Sequence, residues 1–435
     1  MTITSLEDFV ASFNRYEAEN NLFIKCDRQG SPWWDLVRYR VQFALCVEYG
    51  FFHRSYARPA QRVVNVRSFA RQARRLVHDY AEICKPDTRQ VRTLVMSRRS
   101  IDFIDGVADT EAERGQRMLF VNKAGEIATP HIAIKSQSIQ FITRLAHRTR
   151  NLPSEVEKDA RWLAQDIRAR FESNADIFRV IARKYREELI ARRVWSFILD
   201  KATGVERLIY VNDDTLKTLV LLARARGIVT EEVQHAYMGR AHIAFSYPPL
   251  VGGLVTLPHR VIVTRDTGDI TYPVERIVLK TVPKRRDPVP RDIDVLIGSS
   301  PSRCMETIDI VATLVGQGLR LAVKLHPAEI EKNSEISMRF TAGEVEIHAG
   351  DEDFCDLAWR ARLFIPVNPT STTAFEASEM GARVVLLDPG GVKRTAISDG
   401  VTSARAGSLD ALPEVVRSEI SIIEADAESD TRQKQ

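Results

Sequence analysis

The chain has 435 residues, 44% of them hydrophobic and 28% charged, with a formal net charge of +4. At roughly 100–200 residues per domain, this length allows two to four domains with cores of their own, which excludes a small disulfide-stapled module and a largely disordered chain. The longest apolar runs, such as residues 219–223, break at a charge well short of the roughly 18–20 residues that cross a bilayer, so no spanning helix is expected.

Residues 1–20 lack a basic stretch leading into an apolar block, so no secretory signal is read there and the default address is the cytoplasm. Residues 1–90 read as a helical entry region, with apolar positions at helical spacing over 6–13, 36–47 and 69–83. Within it, residues 38–75 hold nine arginines (38, 40, 54, 58, 62, 67, 71, 74 and 75) against one acidic residue, Glu48. Tyr39, Tyr49, Phe51, Phe52, Tyr56 and Phe69 lie between them. Two readings stay open: a solvated helical face whose arginine stems pack on the core, or a surface for a polyanionic substrate or the anionic inner face of a membrane. No signature of a nucleic-acid recognition module accompanies the arginines, and nucleic acid is not an expected partner.

Strand signals begin at residues 91–96 and 118–121, β-branched and apolar runs bounded by charged or glycine-containing turns. Residues 155–193 read as a long charged amphipathic stretch, helical in pattern, covering one side of a sheet. Next comes a βαβ pattern: strand 207–211, Asp213 and Asp214 as helix-start residues, helix 215–226, Gly227 as its C-cap and strand 229–233. Its right-handed crossover implies a parallel sheet, and ligands of such sheets bind beyond the strand C-termini, where Gln234 and His235 fall.

The proline-rich stretch 282–290 (VPKRRDPVP) reads as a linker. After it strands and helices alternate: strand 293–297 followed by Gly298 and Ser299, helix 305–317, strands 319–325 and 345–348, a short helix near Leu357, strand 363–367, helix 373–380, Gly381 and strand 383–387. That alternation predicts a second doubly wound α/β domain. The expected organisation is a helical region (1–90), a Rossmann-like domain (91–285), a second Rossmann-like domain (291–422) and a polar, fraying tail (423–435), with the two Rossmann-like domains facing a cleft. No internal repeat is visible. Cys26, Cys46, Cys84, Cys304 and Cys355 are scattered without C-x-x-C spacing and read as reduced packing residues, with no zinc site implied.

Three segments carry candidate chemistry. In TEEVQHAYMG a strand empties into His235, whose imidazole either takes a proton from an acceptor hydroxyl or bonds a neighbouring carbonyl. In VKLHPAE, Lys324, His326 and Pro327 sit at a strand end, and Pro327 holds His326 extended so that its ring points out from the sheet. In NPTSTTAFEASEMG, Thr370, Ser371, Thr372 and Thr373 precede a helix carrying Glu376. One hydroxyl suffices for N-capping, and four in a row also suit a diphosphate at a helix N-terminus. Glu376 is placed either for a ribose diol or as a solvated helical glutamate.

The order YVNDDTLKTLVLLARARGIVTEEVQHAY, VKLHP, DLAWRARLFIPVNPTSTTAFEASEMGARVVLLD resembles the GT-B glycosyltransferases of bacterial surface polysaccharide synthesis, in particular the group with an HP motif and a Ser/Thr motif that includes sialyl-, polysialyl- and Kdo-transferases. The opening GSPWWDLVRYRVQFAL is similar to the N-terminal segment of such proteins. The resemblance implies transfer of a sugar from a nucleotide-activated donor, CMP- or UDP-linked, to a polysaccharide or glycolipid acceptor such as capsule or lipopolysaccharide, with no metal and no cofactor besides the donor. It implies that His326 contacts the donor nucleotide or its phosphate, that Ser371, Thr372 and Thr373 bind phosphate oxygens, and that Glu376 holds the ribose. His235 would match the family's Gln-His-Gly element as base or acceptor-site residue, although Ala236 stands where glycine is usual. Asp213 and Asp214 precede Thr215, not the glycine of the family's acidic element. With Gln234, Gly298 and Ser299 they form a second tier of candidates. A nucleotide-sugar epimerase, a glycerophosphotransferase-like enzyme and a non-catalytic scaffold of the same shape remain as alternative readings.

Overall fold

The computed structural model describes the chain apart from residues 1–2, 4, 29, 52–65, 97–101, 122–130, 135–150, 212–215, 235–241, 250–252, 264–269, 279–289, 301–302, 327–334, 342, 350–353, 369–372, 389–400 and 434–435. Two compact units emerge, Met1–Lys280 and Thr281–Gln435. The linker expected at 282–290 falls outside the described residues except for Pro290.

The first unit opens with helices α1 (Leu6–Glu19), α2 (Trp33–Glu48) and α3 (Val66–Ile83). Ser5 caps α1 by accepting from the Asp8 amide at 3.1 Å. Strands β1 (Val91–Met96), β2 (Arg117–Val121) and β3 (Ile132–Ile134) follow, with helix α4 (Asp102–Glu113) between β1 and β2. The stretch helical in pattern over 155–193 forms two helices, α5 (Ser154–Arg170) and α6 (Ile177–Lys201). The break has a local cause: Glu172 takes a positive φ of 47°, and Asp176 starts α6 by accepting from the Arg179 amide at 3.0 Å.

The βαβ unit then appears as read: β4 (Arg207–Tyr210), α7 (Lys217–Ala225) and β5 (Val229–Val233), with β4 and β5 parallel neighbours. Gly227 closes α7 at φ +74°, a left-handed backbone that favours glycine. Strands β6 (Arg260–Val263) and β7 (Glu275–Val278) complete a seven-stranded sheet in the order β3-β2-β1-β4-β5-β6-β7. Every pair in it is parallel.

The second unit holds β8 (Ile293–Gly298), α8 (Cys304–Leu314), β9 (Leu321–Lys324), α9 (Glu335–Arg339), β10 (Val345–His348), α10 (Phe354–Arg360), β11 (Ala361–Pro366), α11 (Thr373–Glu379), β12 (Arg383–Leu387), β13 (Thr402–Ala406) and α12 (Leu412–Gln433). Its six strands are ordered β10-β9-β8-β11-β12-β13 and are also all parallel. The backbone of α12 stays helical beyond Ile423 to Gln433. β8 is apolar in almost every position because both its faces are covered, one by the cluster of Val295, Ile297, Val311 and Leu363, the other by Leu296, Ala322, Phe364 and Ala374.

Both sheets grow outward in two directions from their first strand, the doubly wound pattern of Rossmann-like units. In each, the reversal falls beside that first strand, between β1 and β4 in one and between β8 and β11 in the other. No helix among the described residues is long and apolar enough to cross a membrane. The cysteines are all free, but only Cys46 is buried; Cys26 and Cys84 are exposed, which corrects their reading as packing residues.

Candidate functional site

At the reversal point of the second sheet, four neighbouring strands end at the same height. Register places Gly298 beside Pro366 on one side and Lys324 on the other, and Lys324 beside His348. The ladder continues past the strand ends: the Ser299 amide donates to Lys324 O at 3.1 Å, Val367 to Gly298 O at 3.1 Å and Leu325 to His348 O at 2.9 Å. The Ser299 hydroxyl then accepts from the His326 amide at 2.8 Å. Two candidates from separate loops are thereby fastened to each other, and the exposed His326 is held just beyond the sheet edge.

Gly298 makes the junction with α11. A Cβ there would lie 2.8 Å from Phe364 Cζ, inside van der Waals contact, and 4.0 Å from Thr373 Oγ1. Phe364 is fully buried and packs edge-on against Phe354 at 5.3 Å, so its ring cannot simply step aside. Glycine therefore lets the β8 tip approach the first turn of α11, where Thr373 and, one turn on, the half-buried Glu376 sit.

The structure thus brings together Gly298, Ser299, Lys324, His326 and Thr373, with Glu376 one turn along the same helix. Pro327, Thr370, Ser371 and Thr372 lie outside the described residues, as do Asp213, Asp214 and His235 in the first unit. Gln234 is buried, its amide continuing the β5–β6 ladder to Ile262 O at 2.9 Å.

Two residues escaped sequence reasoning. His348 ends β10 in the same register row as Lys324 and Gly298, so the side chains of His348 and Lys324 leave the sheet on one face. Its Nε2 lies 3.3 Å from Glu346 Oε2. Only the strand order makes it a neighbour of the HP segment; in the sequence it is a lone histidine 22 positions after His326. Glu232, fully buried near the end of β5, stands in register with Tyr210 at the first sheet's carboxyl edge.

Just beyond that edge the segment following residues 235–241 is anchored by buried charge. Arg38 donates through Nε and Nη2 to both carboxylate oxygens of Glu17, at 2.9 and 2.8 Å, and to the carbonyls of Ile243 and Ser246 at 3.3 and 3.0 Å. Its guanidinium lies 4.1 Å from the centre of the Tyr247 ring. Lys217 Nζ donates to the Tyr247 hydroxyl at 2.7 Å, and that hydroxyl donates to Asp35 at 3.0 Å. Burial pushes the Glu17 carboxyl up, against the pull of Arg38. His242 offers Nδ1 to the Ala244 amide at 3.2 Å, and burial lowers its imidazole to about 4, so it is neutral at pH 7. Arg38 is therefore an interior anchor, which removes it from the basic surface read over residues 38–75; Arg40 and Arg74 do stay exposed.

A cavity of about 450 Å³ lies elsewhere, lined by Arg207, Val229, Glu231, Arg260, Ile262 and Ile277. Three of these open their strands, so the cavity begins at the amino edge of the sheet, away from the carboxyl-edge loops. Its charges pair in an alternating row, with Glu231 between Arg207 at 2.5 Å and Arg260 at 3.3 Å. Among the described residues no group of three or more His, Cys, Asp or Glu side chains is placed to hold a metal ion.

No family model matches the chain, and no curated protein matches it. Among solved structures it is similar to MurG of Acinetobacter baumannii, at 14% identity and a TM-score of 0.40 over 77% of this chain and 90% of that one. It is also similar to Os79 from O. sativa, solved in complex with UDP, at 12% identity and a TM-score of 0.44 over 79% of this chain and 93% of that one. A third is the UDP-GlcNAc 2-epimerase of Methanocaldococcus jannaschii, at 9% identity and a TM-score of 0.41 over 75% of this chain and 91% of that one. The assignment of two Rossmann-like units stands on the chain's own strand orders.

Proposed function

We propose that the chain is a glycosyltransferase of the two-domain GT-B type, moving a sugar from a CMP- or UDP-linked donor to a hydroxyl of a polysaccharide or glycolipid. The observation that supports this most is the junction at the second sheet's reversal point, where Gly298, Ser299, Lys324, His326 and Thr373 collect at one carboxyl edge. Lys324 and His326 bring groups that attract phosphate, Thr373 brings a hydroxyl, and Glu376 supplies a carboxylate for ribose hydroxyls. Ser371 and Thr372 complete the phosphate grip in this reading.

In the reaction, the acceptor oxygen forms a bond to the donor's anomeric carbon while the bond from that carbon to the phosphate oxygen breaks. The electron pair leaves with the nucleotide, and its charge is met by Lys324, His326 and the hydroxyl segment. His235 receives the acceptor's proton.

The test is thermal stabilisation of the intact protein by CMP, UDP and GDP. A nucleotide at about 100 times its dissociation constant adds about 2.7 kcal/mol. One of the three is expected to stabilise, and His326→Ala and Ser371→Ala each to weaken it by about 1.5–3 kcal/mol, the worth of a hydrogen bond to a charged group. Failure of all three nucleotides overturns the reading. Turnover of a UDP-sugar without any acceptor would reassign the site to an epimerase.

A further inference from the structure

Helices α3 and α6 share a surface that the donor chemistry does not use. Ile83, at the end of α3, is 6% exposed and packs in the core with Val91, Trp195 and Ile198. The neighbouring apolar stripe of α3 does not turn inward: Val77 is 68% and Tyr80 56% exposed, and Ala81 and Cys84 are exposed as well. Tyr80 lies flat on Phe197 of α6, with ring centres 5.5 Å apart and planes 7° from parallel, which extends the stripe onto the second helix.

Cations border the stripe on both helices. On α6, Arg193, Phe197 and Lys201 are four residues apart and share one face; Lys201 Nζ is 5.7 Å from the Phe197 ring centre. On α3, Arg74 is exposed next to Val77. The nearby acids already have partners: Glu82 accepts from Lys85 at 2.6 Å and lies 4.0 Å from His78, Asp79 lies 3.8 Å from His78, and Asp200 accepts from Arg226 at 2.7 Å. Asp79 is buried.

An aromatic and aliphatic stripe bordered by cations suits one class of partner. A second copy of the chain would bring arginine against arginine, whereas an anionic bilayer takes apolar side chains to its acyl boundary and cations to its phosphates. We propose that the α3–α6 surface docks on an anionic lipid membrane, with Val77, Tyr80 and Phe197 entering the interface and Arg74, Arg193 and Lys201 against the headgroups.

Co-sedimentation of the full chain with vesicles tests this without reading sugar transfer or nucleotide binding, so its failure and that of the proposed function are distinguishable. The protein is expected to bind phosphatidylcholine vesicles containing phosphatidylglycerol at least about tenfold better than phosphatidylcholine alone, and to be released as salt rises from about 0.1 M to 1 M. Val77→Asp and Arg193→Glu, at exposed positions, should each reduce binding about tenfold with the melting temperature unchanged. Equal binding to both vesicle types, or wild-type binding by both variants, overturns the proposal. Dimerisation that Val77→Asp abolishes would instead assign the face to a second copy.

Discussion

The two units share a strand order and differ in what they bury. The second unit's core is apolar on both sides of the sheet, its buried carboxylates are Asp294 and Glu419, and its described candidate polar groups gather at the carboxyl edge. The first unit buries whole charges: Glu17, Arg38, Asp35 and Lys217 are each at most 4% exposed, and they join α1, α2, α7 and residues 243–247 into one network. Thr256 adds a hydrogen bond to Asp35. An apolar core sums many small contacts and tolerates neighbours of similar volume, whereas a buried charge is satisfied only by partners at fixed distance and angle. The network thus ties the helical N-terminus to the sheet in a single arrangement, whereas the second unit's buried carboxylates each pair with an arginine that reaches solvent, Asp294 with Arg320 and Glu419 with Arg383.

The largest effect that would break this contrast is loss of Glu17. Glu17→Ala strands Arg38 and removes the acceptor of the Trp34 indole N–H, which is 2.8 Å away. Removing one partner of a buried ion pair costs about 3–5 kcal/mol, and denaturant unfolding that resolves the first unit should show a loss of that size. Glu17→Leu combined with Arg38→Met should recover much of it, because the pair's value depends on both charges being present. A single-variant loss below about 1 kcal/mol, the ordinary size for a surface pair, would reduce the network to decoration.

A smaller and pH-dependent effect belongs to His242. With its folded value lowered from 6.5 to about 4 by burial, the unfolded chain binds more protons between those limits, so stability rises with pH across that window. It is lost as pH falls from about 6.5 to 4, by up to about 3 kcal/mol at 1.36 kcal/mol per unit. His242→Asn keeps an acceptor near Nδ1 but cannot titrate. Its unfolding free energy, followed over pH, should be flatter than wild type by this amount; parallel curves would mean the imidazole is not desolvated.

Legibility in the sequence follows the same division. In the second unit the spacing located β10, β12 and the start of α11 to the residue: β12 is a short continuous apolar run in the sheet interior, β10 an edge strand set off by its alternating Val345 and Ile347, and Gly381 punctuates α11 at φ +81°. β3, β6 and β7 in the first unit and β13 in the second went unread: β3 alternates buried and exposed but has only three residues, and β7 and β13 are edge strands with few buried positions. Arg38 is the sharpest misreading, since a guanidinium in a run of arginines looks like surface until Glu17, 21 residues earlier, is seen to fold against it. At the candidate site the HP and hydroxyl segments were legible as motifs. What they could not convey is the strand order that seats Ser299 between them and sets His348 beside Lys324.

The smallest effect sharpens the contrast from the second unit's side. Ser299→Ala removes the hydroxyl that holds the His326 amide at 2.8 Å. Because His326 is exposed, water can take that amide, so stability should change by no more than about 1 kcal/mol, the net value of one hydrogen bond. Affinity for the stabilising nucleotide should still fall about fivefold, since the loop that carries His326 loses its tie to the β8 tip and must be ordered on binding. Titration calorimetry beside a thermal melt separates the two. A large stability loss would show that the second unit also relies on polar groups for its core. An unchanged affinity would show that the Ser299 hydroxyl does nothing to hold the HP segment for a ligand.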